Sequence, residues 1–227
     1  MDISPIVVSL RTAAVSIFIT FFLGIFSAYV VMKIKNERIR GVVDALLTLP
    51  LVLPPTVVGF ILLYIFGTGR PIGALLLEFF RVKIVFSWGA TVLAAVVMSF
   101  PLMYRSARGA FQAIDENLIY AAQTLGISQR RIFWSVLLPS AREGVISGGV
   151  LAFARALGEF GATAMIAGNI DGRTRTLPLA IYSAVIAGNM EEASNYVLII
   201  LLLSVVIIIY INRLPYLESF GLKRRKK

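Results

Sequence analysis

Tyr120-Ala121-Ala122-Gln123-Thr124-Leu125-Gly126, followed after nine residues by Val136-Leu137-Leu138-Pro139, is a polar, helix-forming island in a chain otherwise built for lipid. Its position between long apolar runs decides the fold class: helices in a bilayer, joined by a segment outside it on which another molecule can dock. Asp115 is the expected N-cap of a first helix, and Leu118, Ala121, Ala122 and Leu125 then recur at i, i+3, i+4 and i+7. Gly126 supplies the left-handed residue that stops that helix. Ser128 can cap a second helix running through Ile132, Phe133, Val136 and Leu137, which is predicted to end near Pro139. The pair forms a helical elbow over 115–139, whose small Ala121 and Ala122 surface lets a partner approach closely. An ordinary surface helix lying on the bilayer would show the same periodicity.

The lipid half of this reading comes from composition. Of 227 residues, 58% are hydrophobic, and the mean hydropathy is +0.86, well above the roughly 45–50% apolar content of soluble domains. The formal charge of +10 would suggest nucleic acid if it lay in one soluble patch. Here the basic residues fall in short loops, as membrane topology demands, so no nucleic-acid partner is expected. With neither Cys nor His present, disulfides and thiolate or imidazole metal sites are excluded, and no metal or cofactor is expected in this chain. The uncharged run from Thr12 to Met32 exceeds the about 7–15-residue core of a cleaved signal and reads as a retained span.

Measured against about 20 apolar residues per crossing, five spans are predicted: 12–32, 45–66, 84–104, 145–166 and 195–212. The stretch from Leu177 to Ala187 is too short to cross and reads as re-entrant or interfacial. Five crossings put fifteen basic residues on one side, from Lys33, Lys35, Arg38 and Arg40 through Arg130, Arg131 and Arg142 to the Lys223–Lys227 tail. Six remain opposite: Arg11, Arg70, Arg81, Lys83, Arg173 and Arg175. The positive-inside rule then gives an external N-terminus and a cytoplasmic C-terminus. With no internal repeat or linker, residues 1–227 read as a single transmembrane domain, an all-α integral membrane protein.

Inside the spans, Pro50, Pro54, Pro55 and Pro101 remove backbone donors and are expected to kink helices, with Pro54 and Pro55 beside Gly59 as the most conspicuous group. Arg155 and Glu159 are the sharpest intramembrane feature, because a charge near mid-span costs at least about 2.5–3.5 kcal/mol. At i and i+4 they share a helix face and can neutralise one another. That pair either locks packing or offers a positive potential to a passing anion. Gly158 and Gly161 suit close helix contact. Arg173 and Arg175 read as solvated loop charges, with docking of an acidic protein rim or attraction of a dianion as the alternatives.

The elbow resembles the EAA loop of permease subunits of ABC importers: Glu-Ala-Ala, three residues, Gly, nine residues, Ile, one residue, Leu-Pro. Ala121, Ala122, Gly126, Leu138 and Pro139 match at the right spacing, while Tyr120 stands in place of Glu and Val136 in place of Ile. The segments Leu49–Gly59, Met98–Leu102, Leu151–Thr163 and Asn169–Pro178 extend the resemblance to the molybdate/tungstate permease subfamily over nearly the whole chain. It implies a multi-pass protein of the cell membrane, a homodimer working with two cytoplasmic ABC ATP-binding subunits and an external oxyanion-binding protein. In that arrangement ATP and Mg belong to the ATPase, and this chain is a non-catalytic transport subunit operating by alternating access. The coupling surface would then comprise Tyr120, Ala121, Ala122, Leu125, Gly126, Ile127, Leu138 and Pro139. The translocation path or gate would draw on Pro54, Pro55, Gly59, Arg155, Glu159 and Gly161. Independently, no Gly-x-x-x-x-Gly-Lys-Ser/Thr phosphate loop occurs in the sequence, so ATP-driven work by a Walker-type site would need a separate polypeptide. A sulfate-type oxyanion permease shares this chemistry. A membrane scaffold that merely recruits an ATPase would also carry the elbow. An integral membrane enzyme would need clustered carboxylates, whereas Asp2, Asp44, Asp115 and Asp171 are scattered.

Overall fold

A computed structural model describes the backbone of residues 2–224 and the side chains of residues 2–209. Its first helix, α1 (Ser4–Met32), starts eight residues before the predicted span, with Pro5 in its first turn, where the missing donor costs nothing. At 29 residues it is about 43 Å long, more than enough for a core of about 30 Å. Ser9, Thr12, Ala13, Ser16, Thr20, Gly24 and Ala28 are among its buried residues, a stripe of small side chains that lets the backbone of α5 (Trp88–Gln112) come close.

Between them the predicted 45–66 span is two helices, α2 (Glu37–Val52) and α3 (Pro55–Phe66), bent by 111°. The reason is the double proline: Leu53 and Pro54 each precede a proline and take extended backbone, with ψ of 142° and 136°. The lone prolines behave otherwise, since Pro50 stays inside α2 and Pro101 inside α5. A short helix, α4 (Pro71–Phe80), follows α3. The third predicted span is shifted: residues 84–87 are not helical, and α5 continues past Arg105 and Arg108 to Gln112.

The elbow begins with α6 (Glu116–Thr124). Its second arm ends at Ser140, near Pro139 as predicted, but it is not a regular α-helix: α7 (Gln129–Ile132) widens into a π-helical turn over Phe133–Leu137 and continues as α8 (Leu138–Ser140). Leu138 N–H donates to the Phe133 carbonyl, and the wide turn absorbs the donor that Pro139 lacks. After a 74° bend the chain rises as α9 (Arg142–Leu157). The predicted 145–166 span is therefore broken too, at Gly158-Glu159-Phe160, before α10 (Gly161–Ala167). α11 (Leu177–Ile186) and α12 (Met190–Arg224) complete the described residues.

Among the described residues three helices are long and apolar enough to cross singly, Ser4–Met32, Trp88–Gln112 and Met190–Ile209, and up to five crossings result if the two bent pairs, α2 with α3 and the second arm of the elbow with α9, are each one span. Contacts sort the helix ends into two groups. At one end the elbow packs on α1 through Tyr29 and Phe133, whose rings lie 4.4 Å apart, and α2 meets α5 through Asp44 and Arg108. At the other, Arg11 lies over the Trp88 ring, and Phe86 N–H donates to the Ile166 carbonyl. Leu177 N–H donates to Ser9 Oγ at 2.7 Å, and the Tyr196 hydroxyl to the Asp2 carbonyl at 3.0 Å. Both ends of α11 therefore lie at the Asp2 end of the bundle, so that helix does not cross. Arg213 and the Lys223–Lys227 tail, which weighed in the charge count, lie outside the residues whose side chains are described.

Candidate functional site

Two places concentrate the residues singled out in the sequence. The first is the elbow. The Asp115 carboxylate accepts the Asn117 N–H at 2.9 Å, capping α6 as expected, whereas Ser128 occupies the cap position of α7 without a side-chain hydrogen bond. Gly126 has φ of +72° and ends the first arm. The predicted apolar face does not act as one surface. Ala122 is turned inward, 6% exposed, while Leu125 is 78% exposed and Leu118 and Tyr120 are also exposed. Ala122 therefore packs within this chain, and the outward surface consists of Tyr120, Ala121, Leu125 and Gly126. Ile127 and Leu138 are half-buried and Pro139 is exposed. The Tyr120 hydroxyl donates to Glu116 at 3.1 Å, and this bond to a carboxylate holds the phenol above its ordinary pKa. Tyr120 fills the Glu position of the EAA pattern, so the elbow still presents a carboxylate, one turn earlier at Glu116.

The second place is the seam between α3 and α10, where both broken segments meet. A Cβ on Gly59 would lie 2.7 Å from Ala162 Cα and 2.8 Å from its carbonyl oxygen, and one on Gly161 would lie 2.9 Å from Pro55 Cβ. Pro55, Gly59 and Gly161 are thus brought together, with Pro54 exposed at the bend. Gly158 makes no such contact, as a Cβ there would meet only its own Ala154 carbonyl, at 3.7 Å. The expected close packing belongs to Gly161 alone of that pair.

Beside the seam, Arg155 and Glu159 do pair, with Nη1 and Oε2 at 2.6 Å, yet not on one continuous helix face, because α9 ends at Leu157. Glu159 is 2% exposed, and its Oε1 accepts the Ala162 N–H at 2.8 Å. Its carboxylate therefore caps the first turn of α10 with one oxygen and neutralises Arg155 with the other. In the loop before α11, Arg175 is not a free solvated charge: it pairs with Asp171 and donates to Asn169 Oδ1 at 2.9 Å. Arg173 is exposed.

A half-buried polar group at the elbow end escaped sequence reasoning, as did the hydroxyl contacts between α1 and α5. Asp44 accepts from the Tyr104 hydroxyl at 2.8 Å and pairs with Arg108, tying α2 to α5 at the elbow end. With about sixty residues between partners, no local pattern marks it. The only signal is a carboxylate and a guanidinium at the edges of two apolar runs predicted to lie on the same side.

The sequence matches the family described as binding-protein-dependent transport system inner membrane component over residues 5–217. The chain belongs to that family. It is accordingly a multi-pass membrane protein, the membrane-embedded permease component of a binding-protein-dependent transport system. It is 43% identical over 180 residues to the molybdenum transport system permease protein ModB of Escherichia coli (strain K12), covering 79% of this chain and 78% of that one. With the protein of the same name from Haemophilus influenzae it shares 41% identity over 207 residues, 91% and 90% of the two chains. Among solved structures, a bacterial ABC transporter involved in importing the acidic polysaccharide alginate superposes with a TM-score of 0.77 at 15% identity, over 93% of this chain and 77% of that one. That likeness speaks to the fold alone.

Proposed function

We propose that this chain is the permease subunit of an ATP-driven importer of molybdate or tungstate, working as a homodimer with two ATP-binding subunits and an external oxyanion-binding protein. The observation that carries the substrate class is the 41–43% identity, over most of both chains, to relatives named as molybdenum transport permeases. With the N-terminus outside and five crossings, α2 with α3 counts as one broken crossing; the elbow stays in the cytoplasm, so the other broken crossing is α9 continued by α10 rather than α9 with the elbow's second arm. Leu118, Tyr120 and Leu125, exposed around an inward Ala122, form the surface on which the ATPase subunit sits. Movement of that surface passes along the second arm of the elbow, across the 74° bend at Ala141 and up α9 to the Glu159 break and the α3–α10 seam, where access alternates.

Two measurements test this reading. Leu125→Asp changes a side chain with almost no contacts in its own chain. It is expected to lower recovery of the ATP-binding subunit with the permease and to stop molybdate uptake, while membrane insertion persists; unchanged uptake rejects the elbow as the coupling surface. For the substrate, unlabelled tungstate should compete with labelled molybdate in vesicles loaded with ATP, and sulfate should not. Equal competition by sulfate moves the assignment to a sulfate-type permease.

A further inference from the structure

We propose that the groove between α1 and the second arm of the elbow is a binding site for an anionic phospholipid of the leaflet on the elbow side, with its headgroup phosphate at Arg130. The groove is a cavity of about 450 Å³ walled by Phe22, Phe26 and Tyr29 of α1 and by Phe133 and Trp134 of the elbow, with the exposed Arg130 also lining it. Arg130 is its one charged lining residue, and no side-chain partner for it occurs among the described residues.

Three observations select a lipid as the occupant. First, the groove continues a stripe of α1 that is open to the surroundings, Phe18, Phe22, Phe26 and Val30, on a helix whose length and hydropathy suit a membrane crossing. An occupant lying along that stripe is in hydrocarbon. Second, Trp134 is 67% exposed and Lys33 sits 4.0 Å over the Tyr29 ring. An amphipathic aromatic pair beside a lysine is what a headgroup level looks like. Third, the lone guanidinium stands where an acyl chain in the groove would leave its phosphate, and basic pockets between helices at this level select acidic headgroups. Leu118 and Tyr120, on α6, and Leu125, at its C-cap, form the surface assigned to the ATPase and take no part in the groove.

The chain has two tryptophans, and Trp88 lies at the opposite end of α1, donating to Thr12. Trp88→Phe therefore leaves Trp134 as a single reporter inside the proposed site. The full-length permease is reconstituted in vesicles holding equal mole fractions of brominated phosphatidylglycerol or brominated phosphatidylcholine, and quenching of Trp134 is compared. The expected preference for phosphatidylglycerol is about five-fold, the factor that one basic side chain near an acidic headgroup supplies. Arg130→Gln should abolish it, and Arg130→Lys should keep most of it. Arg131→Gln should leave it nearly intact. Equal quenching by the two lipids overturns the proposal, as does equal loss in the Arg130 and Arg131 variants, which would mean diffuse surface charge. Absence of quenching by either lipid means that protein covers the groove, and loss of the preference on adding inorganic phosphate means that the site takes the free anion; both also overturn it. Because lipid quenching is read without transport, its failure leaves the oxyanion assignment untouched.

Discussion

α1 and α5 are held together by hydroxyls, whereas α3 and α10 meet where side chains are missing. Across the first pair, Thr12 and Thr91 lie 3.0 Å apart, Ser16 donates to the Val92 carbonyl, and Thr20 and Ser99 lie 3.2 Å apart, all buried. Across the second, Gly59 meets the backbone of Ala162, and Gly161 meets Pro55. Both α1 and α5 are unbroken over at least 25 residues, while α3 and α10 are the short halves left by breaks. A bonded pair of long helices makes a scaffold. A seam of bare backbone beside two breaks can shift without losing side-chain hydrogen bonds, and it is the part of the bundle suited to change shape.

The largest effect is therefore expected from filling the seam. Gly59→Val would put its Cβ against backbone atoms of Ala162 at 2.7–2.8 Å, where no rotamer change helps, and overpacking of this kind costs about 1–3 kcal/mol or more. Loss of uptake, with a lowered melting temperature of the solubilised protein, is the expected outcome. Gly158→Ala, which meets only its own helix, should remain close to wild type. If the two variants behave alike, the seam has no special standing.

The next effect concerns the ion pair at the break. Glu159→Ala strands the Arg155 charge and removes the cap of α10, and breaking a buried pair from one side typically costs about 3–5 kcal/mol. Partial solvation of Arg155 softens that loss. Glu159→Gln keeps an acceptor for the Ala162 N–H, so it should retain more stability than Glu159→Ala; equal melting temperatures would dismiss the capping role. A charge swap between 155 and 159 cannot separate pairing from a role in the path. Arginine at 159 has no acceptor for the Ala162 N–H, so the swap fails on capping grounds alone.

These features differ in how far they could be read beforehand. The helical class, α1, the Asp115 cap and the Gly126 stop follow from local chemistry, since each depends on residues within one or two turns. The breaks were half legible. Pro54-Pro55 beside Gly59 stood out at the first, but Pro50 and Pro101 were also expected to kink their helices, and only consecutive prolines force two residues out of the helical region. At the second break nothing in Gly158-Glu159-Phe160 forbids a helix, and the Glu159 carboxylate's bond to the Ala162 N–H across it is not announced by any local pattern. The inward turn of Ala122 and the Asp44–Tyr104–Arg108 group depend on what packs opposite, and periodicity carries no information on that.

The smallest effect sharpens the scaffold side of the comparison. Thr20→Val is close to isosteric and removes one hydroxyl from the Thr20–Ser99 contact. Interhelical hydrogen bonds in membranes average only about 0.6 kcal/mol, and Ser99 Oγ retains a bond to the Val96 carbonyl at 3.4 Å. Stability should fall by well under about 1 kcal/mol, and uptake should be unchanged. The burden is shared with Thr12–Thr91 and Ser16, so the three contacts hold the pair jointly and none is indispensable. Thermal unfolding of Thr20→Val beside Gly59→Val decides the matter: a drop for Thr20→Val as large as that for Gly59→Val would mean that the α1–α5 hydroxyls, and not the glycine seam, set the stability of the bundle.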